Sequence, residues 1–435
     1  MTGELPRRLE SLDAAAIVVG TVIGSGIFLT PHAVARSLPS ASLILIVWLF
    51  TGLLSFFGAL AFAELGTMMP ATGGQYVYLR EAYGPLWAFL CGWTLFLVVQ
   101  SGGIATLAVG FAIYLSHFVP LSPAMSRVAA VGLVAILTWV NYRGVGAGAA
   151  TQKLFTALKI SGLALIIGGA LFSGSESSWD ASSWALSGFS LTHFGEAMIA
   201  TLWTYEGWNV ISFIAGEVKR PQRNLPLSLG AGVGVVIAIY LLANVAYLKA
   251  LPIGEIAATE RVAAAVAERT LGSLGAATVT LTILLSIIGS INGSIMTVPR
   301  IYFAQARDGL LFAPFGRVHP RFQTPSFSIL AQGIWVAVLT VSGSYEKLFS
   351  YSMFAAWIFY GMAALAVLIL RRKQPDRPRP YRMWGYPVTP LGFAAVSFWF
   401  VGNTIWTQPG PSLAGLLLIA AGVPLYYWRR RSVGR

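Results

Sequence analysis

Charged residues are scarce in this sequence. Asp, Glu, Lys and Arg make up only 10% of its 435 residues, whereas soluble domains normally carry about 25% because their surfaces must be hydrated. A protein of this size therefore has too few charges to cover a surface in water. It also has a single cysteine, Cys91, and this excludes an internal disulfide framework.

Sequence patterns typical of metal, nucleotide and covalent chemistry are missing as well. The four histidines, His32, His117, His193 and His319, lack the spacing of a metal site, and we expect them at membrane interfaces. There is no G-x-x-x-x-G-K-[ST] phosphate loop and no nucleophile paired with a base. We therefore predict no metal, no cofactor and no enzymatic activity. The net charge of +13 does not indicate nucleic-acid binding, because the basic residues lie in short loops between apolar stretches.

Long apolar stretches are what the sequence has in abundance. Hydrophobic residues make up 56% of the chain, and the mean hydropathy is +0.71. About 18–20 such residues cross a bilayer as a helix, and no alternating ten-residue strands typical of a barrel are seen. The sequence predicts an all-α membrane protein with twelve spans, numbered here as segments 1 to 12: 14–36, 41–69, 84–115, 124–142, 153–172, 191–215, 227–250, 274–303, 325–342, 348–370, 387–407 and 412–428. The first run, from Ala14, is interpreted as a span rather than a cleaved signal, and the charged stretch 251–270 as an amphipathic loop helix.

The distribution of Lys and Arg predicts the orientation. With the N terminus inside, 22 of the 29 basic residues fall on the cytoplasmic side. Lys159 lies within a span, and six fall outside: Arg36, Arg127, Lys249, Arg261, Arg269 and Lys347. Because cytoplasmic loops carry an excess of Lys and Arg, we predict a multi-pass protein of the cytoplasmic membrane with both termini in the cytoplasm.

Two of the predicted spans are interrupted at corresponding positions. Segment 1 contains Gly20, Gly24, Ser25 and Gly26, and segment 6 contains the run 203–209. The interruptions lie five segments apart, so two sets of five spans would have inverted topology, and corresponding broken helices indicate a transporter's substrate site. We predict one transporter domain, 1–435, with repeats 14–172 and 191–370 followed by two further helices in 387–428. Helix packing is the simpler interpretation of a single glycine.

The broken helices also predict the chemistry of the site. Unwinding a helix in lipid leaves backbone N–H and C=O groups that need partners. Free N–H groups at the start of a half-helix suit a carboxylate, and freed carbonyls suit an ammonium group, so the pair of breaks suits a zwitterionic amino acid. The predicted substrate-binding residues are Ile23, Gly24, Ser25, Gly26, Ile27, Trp203, Thr204, Tyr205, Glu206 and Gly207.

These residues carry a family resemblance. The chain resembles the amino acid–polyamine–organocation superfamily and, within it, the L-amino-acid transporter branch. The resemblance covers essentially the whole chain, and its motifs occur in this order: Gly20 to Phe28, Tyr205 to Trp208, Gly216 to Pro226, Gly289 to Gly293, Arg300 to Gly309, Thr324-Pro325, Trp357 to Gly361 and Arg379 to Tyr381.

The resemblance implies a fold and a transport mechanism. It implies a ten-helix core of two inverted repeats with two extra C-terminal helices, and alternating access in which segments 1, 2, 6 and 7 move against segments 3, 4, 5, 8, 9 and 10. It puts Trp203 at the position of an aromatic gate over the substrate; an ordinary packed tryptophan is the alternative. Mammalian members use an ancillary glycoprotein joined by a disulfide. Because Cys91 lies in apolar sequence, we expect this chain to act without one.

Two charged residues within the spans have competing interpretations. Lys159 is costly in a membrane, by about 2.5–3.5 kcal/mol on insertion scales, so it should face a partner or cavity unless it reaches the interface. The resemblance implies that its ammonium bridges segments 1 and 8 where sodium-coupled relatives hold an ion. Glu206 either lines the cavity or caps the break. Glu64 is expected in a structural or inner-gate role, and Arg300, Arg307 and Asp308 in cytoplasmic gate or loop pairs, with solvated charge as the alternative.

The predicted function is secondary transport of small neutral L-amino acids, by sodium-independent exchange or facilitated uptake. The alternatives are a proton-coupled symporter and, more remotely, a membrane sensor that binds an amino acid without moving it. The expected partners are the amino acid substrate and the lipid bilayer.

Overall fold

Helices make up most of the computed structural model, which describes residues 5–172, 189–343 and 345–433. Side chains are described within these ranges except at 273–274, 345–353 and 432–433. The predicted placement of the Lys347 side chain therefore lies outside the described residues.

The helices correspond in order to the predicted segments. Segment 1 comprises Ser11–Val22, Gly26–Leu29 and Pro31–Ser37, and segment 6 comprises Leu191–Thr204 and Val210–Glu217. Segment 3 runs through Pro85–Thr94, a π-helical turn Leu95–Val99 and Gln100–Leu115, and segment 8 through Ser273–Thr297 and Pro299–Arg307. The remaining segments are Ala41–Met68, Pro123–Tyr142, Val145–Phe172, Pro221–Ala250, Ser326–Ser342, Tyr345–Lys373, Val388–Thr407 and Pro409–Val433.

Ten of these helical stretches are long and apolar enough to cross a membrane. Ser326–Ser342 (segment 9) is apolar but shorter, and the interrupted segment 6 has no single helix of sufficient length. The chain is thus an all-helical multi-pass membrane protein. The count of twelve spans and the inverted repeat stay predictions.

The ends of the helices follow from local chemistry. Ser40 and Ser190 precede segments 2 and 6, and their side chains accept hydrogen bonds from the N–H groups of Leu43 and His193, at 3.5 Å in each case. Such caps satisfy donors that have no partner within the helix. Segment 5 begins at Val145 and not near 153 as predicted. Gly144, with φ of +142°, ends the turn after segment 4, and the apolar helix then starts at once.

In the described part of the chain, three short α-helices and one 3₁₀ helix, Ala313–Gly316, lie between the segments. Gln75–Tyr83, which the sequence analysis did not predict, precedes segment 3. The predicted loop helix at 251–270 is two helices, Ile253–Ala258 and Val262–Leu271. The second packs against segments 5 and 8 and against Gly26–Leu29, so its apolar face is buried in the bundle.

Segment 1 lies at the centre of the bundle. Its first helix packs against segments 5, 7 and 8, and segment 6 packs against the later parts of segment 1 and against segment 2. Segment 3 packs against segments 8, 9 and 10. Both helix breaks are therefore enclosed by neighbouring helices, the condition under which irregular backbone is tolerated at membrane depth.

The N-terminal face of the bundle is tied together by backbone and ionic contacts. The N–H groups of Arg8 and Leu9 donate to the Glu217 carbonyl at 2.9 and 3.0 Å, and the Lys219 N–H donates to the Leu9 carbonyl at 2.8 Å. The hydrogen bond and charge of Lys219 hold the pKa of the exposed Glu10 carboxyl below its usual value. This short arm joins the N terminus to the end of segment 6.

Three of the four charged residues that the sequence analysis expected in structural, gate or loop roles form ion pairs. Arg300 pairs with Glu217 through two hydrogen bonds, of 2.7 and 3.2 Å, and both side chains are buried. Glu64 accepts two bonds from Arg371, of 2.8 and 2.7 Å. Asp308 accepts from the guanidinium of Arg80 and from the hydroxyl of Tyr76. Arg307 has no ion pair among the described residues and lies over the ring of Phe303.

Candidate substrate site at two helix breaks

The first break exposes backbone donors. The opening helix of segment 1 ends at Val22, and the chain turns through Ile23, Gly24 and Ser25 before the helix resumes at Gly26. Within the described residues, no backbone carbonyl accepts from the N–H groups of Ser25, Gly26 or Ile27. The Ser25 hydroxyl is also buried without a hydrogen-bond partner there. Buried donors of this kind need a partner, and an anionic ligand can supply one.

Lys159 occupies the carbonyl side of the same break. Its fully buried ammonium donates to the carbonyls of Gly20 and Ile23 at 2.7 and 2.6 Å, and to that of Ser286 in segment 8 at 2.9 Å. An ammonium has three donors, so each of them has an acceptor. The contacts join segments 1, 5 and 8, and no carboxylate of the described residues pairs with this lysine.

The second break depends on a glycine conformation. Segment 6 loses its α-helical form after Thr204 and continues as a 3₁₀ helix from Val210. Between them Gly207 has φ of +103°, a region that residues with a side chain rarely adopt. A β-carbon at this position would also lie 2.9 Å from Cγ2 of Thr21, so the glycine lets segment 6 approach segment 1 closely.

Direct contacts join the two breaks. A β-carbon added to Gly26 would lie 2.8 Å from both Cγ2 and Oγ1 of Thr204, so the half-helix and segment 6 touch there. The hydroxyls of Thr30 and Thr204 are 2.8 Å apart. The Tyr240 hydroxyl, from segment 7, lies 2.9 Å from the carbonyl of Val22 and 3.0 Å from that of Thr204. One tyrosine thus bonds to the last turn of both interrupted helices.

A cavity lies between the breaks. Its space of about 70 Å³ compares with roughly 10–15 Å³ for one water-sized molecule, so it suits a ligand of a few non-hydrogen atoms. Most of its wall is small or polar. The lining residues are Thr21, Val22, Gly24, Ser25, Gly26, Val99, Gln100, Gly103, Ile104, Leu107, Trp203, Thr204, Glu206, Gly207, Ser290 and Ser294.

Glu206 is the only acidic residue among the described residues of this wall. One carboxylate oxygen accepts a hydrogen bond from the Tyr360 hydroxyl of segment 10. The other oxygen, Oε2, is buried and has no hydrogen-bond partner among the described residues. A buried carboxylate oxygen without a partner is costly, so a donor from a ligand would fit here. Glu206 both faces the cavity and contacts a neighbouring segment.

The structure brings most of the predicted site residues to this wall. Gly24, Ser25, Gly26, Trp203, Thr204, Glu206 and Gly207 line the cavity, whereas Ile23, Ile27 and Tyr205 do not. Ile27 and Tyr205 are buried in the surrounding core, and the Tyr205 hydroxyl donates to the Trp48 carbonyl at 3.1 Å. Ile23 was predicted to bind the substrate at a break whose freed carbonyls suit an ammonium group, but its carbonyl accepts from Lys159 and, at 3.2 Å, from Ser290.

Several cavity residues were missed from the sequence. Gln100 and Ile104 come from segment 3, next to the π-helical turn, and such turns are frequent at functional sites. A glutamine in an apolar span is a signal that could have identified Gln100. Nothing local distinguishes Tyr240 from Tyr247 on the same segment, although only Tyr240 reaches the breaks.

Comparison with known proteins agrees with this architecture. The model of a family described as amino acid permease matches residues 9–427. The chain belongs to the amino acid permease family. This family assignment confirms the resemblance to the amino acid–polyamine–organocation superfamily that the motifs indicate.

Relatives within this permease family are exchangers and transporters. The serine/threonine exchanger SteT of Bacillus subtilis is 34% identical over 430 residues, 98% of each chain. The human large neutral amino acids transporter small subunit 2 is 33% identical, over 98% of this chain and 82% of its own. The human b(0,+)-type amino acid transporter 1 is 32% identical, over 98% and 88%. The chain is accordingly a member of a family of membrane transporters and not of an enzyme family.

Proposed function

We propose that this permease exchanges small neutral L-amino acids across the cytoplasmic membrane without sodium. The cavity between the two helix breaks carries the proposal, because it presents backbone donors on one side and a carboxylate with a free acceptor on the other. An amino acid zwitterion carries complementary charges a few ångströms apart. The serine/threonine exchanger and the large neutral amino acid transporter among its relatives support this substrate class.

The substrate would lie in one orientation. Its carboxylate would accept from the N–H groups of Ser25, Gly26 and Ile27, which have no backbone partner among the described residues. Its ammonium would lie toward segment 6, because the carbonyls of Gly20, Val22 and Ile23 already accept from Lys159, Ser290 or Tyr240. The side chain would point toward segments 3 and 8, where Gly103 and Ser294 leave little bulk.

A small substrate fits the size of this cavity. Its space of about 70 Å³ is several times that needed for one water-sized molecule, so it suits a small amino acid better than a large one. The hydroxyls of Ser25, Ser290 and Ser294 on the wall favour a substrate that itself has a small polar side chain. We therefore place serine, threonine and alanine ahead of large neutral amino acids.

Exchange by alternating access would depend on residues at and beside the two helix breaks. We assign Trp203, on the cavity wall, the role of a gate that closes over the substrate. The twelve spans would form two inverted repeats, 14–172 and 191–370, with both termini in the cytoplasm. Lys159, hydrogen-bonded to segments 1 and 8, would take the place of a sodium ion. The chain would act alone, without an ancillary subunit.

Counterflow in proteoliposomes tests the exchange. Vesicles with purified protein and internal unlabelled serine should accumulate labelled serine, and sodium should not be required. Unlabelled arginine inside the vesicles, in place of serine, should not drive accumulation of labelled serine. The proposal fails if internal substrate does not accelerate uptake, and saturable binding without flux would indicate a sensor instead.

Proton-coupled symport is the second candidate, favoured by one observation. Glu206 is the single carboxylate on the cavity wall, with one oxygen lacking a partner among the described residues, so it could hold a proton during transport. An inward pH gradient imposed on substrate-free vesicles distinguishes the two. Accumulation of serine driven by that gradient alone would support symport, and Glu206→Gln should then abolish the response to pH.

A further inference from the structure

A groove on the outside of the bundle lies between segments 4 and 9. Its space is about 240 Å³, far more than the roughly 10–15 Å³ for one water-sized molecule. Its walls are mostly apolar, and two of its side chains, those of Trp139 and Ile334, are more than half exposed in the protein alone. The lining residues are Val131, Val134, Ala135, Thr138, Trp139, Leu330, Gly333, Ile334 and Ala337. In a multi-pass membrane protein this face meets lipid.

A basic aromatic cluster lies at one end of this groove. Trp139 lines the groove, and the Arg143 guanidinium lies 5.6 Å from the centre of its ring and 5.4 Å from that of Phe322. Arg321 lies over the same Phe322 ring at 5.5 Å. Both arginines are exposed and have no ion pair among the described residues. Their charge is available to an anion.

The cluster is held in place by the loop before segment 9. His319 stacks on Phe322, with ring centres 4.7 Å apart, and its Nδ1 accepts from the N–H groups of Arg321 and Phe322 at 3.2 Å each. The Thr324 hydroxyl donates to the carbonyl of Tyr142 at 3.0 Å, which fixes this loop to the end of segment 4. Tryptophan and tyrosine at a helix end are typical of the headgroup level of a bilayer. The two guanidinium groups thus lie where lipid phosphates lie.

A buried polar atom lies deeper in the groove. The Thr138 side chain is buried, yet its Oγ1 has no hydrogen-bond partner among the described residues. Thr138 precedes Arg143 by five residues, about 7.5 Å along a helix. In a diacyl phospholipid the ester carbonyls are the first acceptors below the phosphate. The Thr138 hydroxyl is a donor at that depth.

We propose that this groove binds an anionic diacyl phospholipid. The phosphate lies between Arg143 and Arg321, an ester carbonyl accepts from the Thr138 hydroxyl, and an acyl chain fills the space beside Ala135 and Gly333. Basic pockets between membrane helices select anionic headgroups in this way. The site lies at the same end of the bundle as the N terminus, since Arg8 donates to Gln323 in the same loop at 2.6 Å.

Native mass spectrometry of the full-length protein tests the headgroup. After release from nanodiscs of mixed phosphatidylglycerol and phosphatidylcholine, the protein should retain phosphatidylglycerol preferentially. The double variant Arg143→Gln, Arg321→Gln should lose about thirtyfold of this preference, since each basic residue near an anionic surface contributes about fivefold. Arg127→Gln is the matched control, because Arg127 is exposed at the other end of the same helix.

The ester contact and the groove have separate tests. Diester phosphatidylglycerol should be retained about fivefold better than the diether form, and Thr138→Val should remove that difference, because only the diester has the carbonyls. Ala135→Phe should fill the groove and reduce retention of both forms, while Ile136→Phe, on the exposed face beside it, should not. Equal retention of the two headgroups, or retention unchanged in the double arginine variant, would overturn the proposal. The proposal would also be overturned if the protein formed a dimer that Ala135→Phe abolishes and that persists when the lipid headgroup is changed. A second copy of the chain would then occupy the groove.

Discussion

The two helix breaks differ in what they offer to a ligand. At the first break the carbonyls of Gly20, Val22 and Ile23 already accept from Lys159, Ser290 or Tyr240, while the N–H groups that follow have no backbone partner among the described residues. At the second break the feature without a partner is a side-chain atom, Oε2 of Glu206. The first break thus presents backbone N–H donors to a ligand, and the second presents a carboxylate oxygen as an acceptor.

This difference separates general from selective recognition. Every amino acid has an α-carboxylate, so backbone donors at the first break suit any of them. The second break can discriminate, because a carboxylate oxygen has two acceptor sites: Oε2 of Glu206 can accept from the ammonium that every substrate has and also from a side-chain donor such as the serine hydroxyl, which alanine lacks. We expect substitutions at the first break to reduce transport of all substrates, and substitutions at the second to change the order of preference.

Removal of the Lys159 ammonium should have the largest effect. Lys159→Met removes a donor from three buried carbonyls and leaves those of Gly20 and Ile23 with the Ser290 hydroxyl alone. A buried group left without a partner costs about 1–3 kcal/mol, so we expect uptake of every substrate to fall by more than about a hundredfold. Initial counterflow rates and a thermal unfolding curve in detergent measure the loss of function and of stability.

Lys153→Met is the matched control for this lysine. Its ammonium pairs with Asp13 at 2.8 Å, but the side chain is 45% exposed, and exposed pairs contribute little, about 0–1 kcal/mol. If Lys159→Met kept both transport and stability, the lysine would not be the element that fixes the first break.

A methyl group at Gly26 should have the next largest effect. The added β-carbon would lie 2.8 Å from two atoms of Thr204, and overpacking of this kind costs about 1–3 kcal/mol. We expect Gly26→Ala to reduce uptake of serine and alanine equally, by about tenfold. Thr204→Ala in the same chain should restore part of it.

Gly103→Ala is the control, because Gly103 lines the same cavity and an added β-carbon there would meet no atom within 4 Å. Equal damage from the two alanines would mean that cavity volume, and not the contact between the breaks, limits transport.

Neutralising the second break should change selectivity more than rate. Glu206→Gln keeps the size of the side chain but removes its charge, and we expect the ratio of serine to alanine affinity to change by about tenfold, or 1.4 kcal/mol. Competition by unlabelled amino acids in counterflow measures this ratio. Glu196→Gln, an exposed acid on the same segment, should leave it unchanged. An unaltered ratio in Glu206→Gln would remove the selective role of this break.

Loss of the bridging hydroxyl should have the smallest effect. Tyr240→Phe removes one donor shared by the carbonyls of Val22 and Thr204, at about 0.5–1.5 kcal/mol. We expect a lower unfolding temperature and normal selectivity. Tyr247→Phe, buried on the same segment, should be milder. A selectivity change in Tyr240→Phe would show that the two breaks act as one unit.

Long apolar helices were the most predictable part of the fold. Segments 2, 4 and 7 are long and apolar, so the local sequence is enough to predict them as helices. Capping residues such as Ser40 mark where they begin. The start of segment 5 at Val145 was missed, because the glycines and alanines of 145–152 are not hydrophobic enough to stand out. The helix Gln75–Tyr83 was missed for a similar reason: it is short and polar, and it is held by contacts with segments 3, 8 and 10.

The sequence by itself determined the class of the protein and the location of its breaks. Scarce charge and apolar length require a bilayer, glycines interrupt two helices, and one lysine lies within a span, where it must face a partner or cavity or reach the interface. These are local properties, since each depends on a residue and its near neighbours along the chain.

Only the tertiary structure decided which polar groups are satisfied. It brings Lys159 and Ser290 to the Ile23 carbonyl, buries Tyr205 away from the cavity and leaves one oxygen of Glu206 without a partner among the described residues. The partners come from segments more than a hundred residues apart. A buried hydrogen bond depends on distances of tenths of an ångström between such segments, and neither composition nor spacing along the chain specifies those distances.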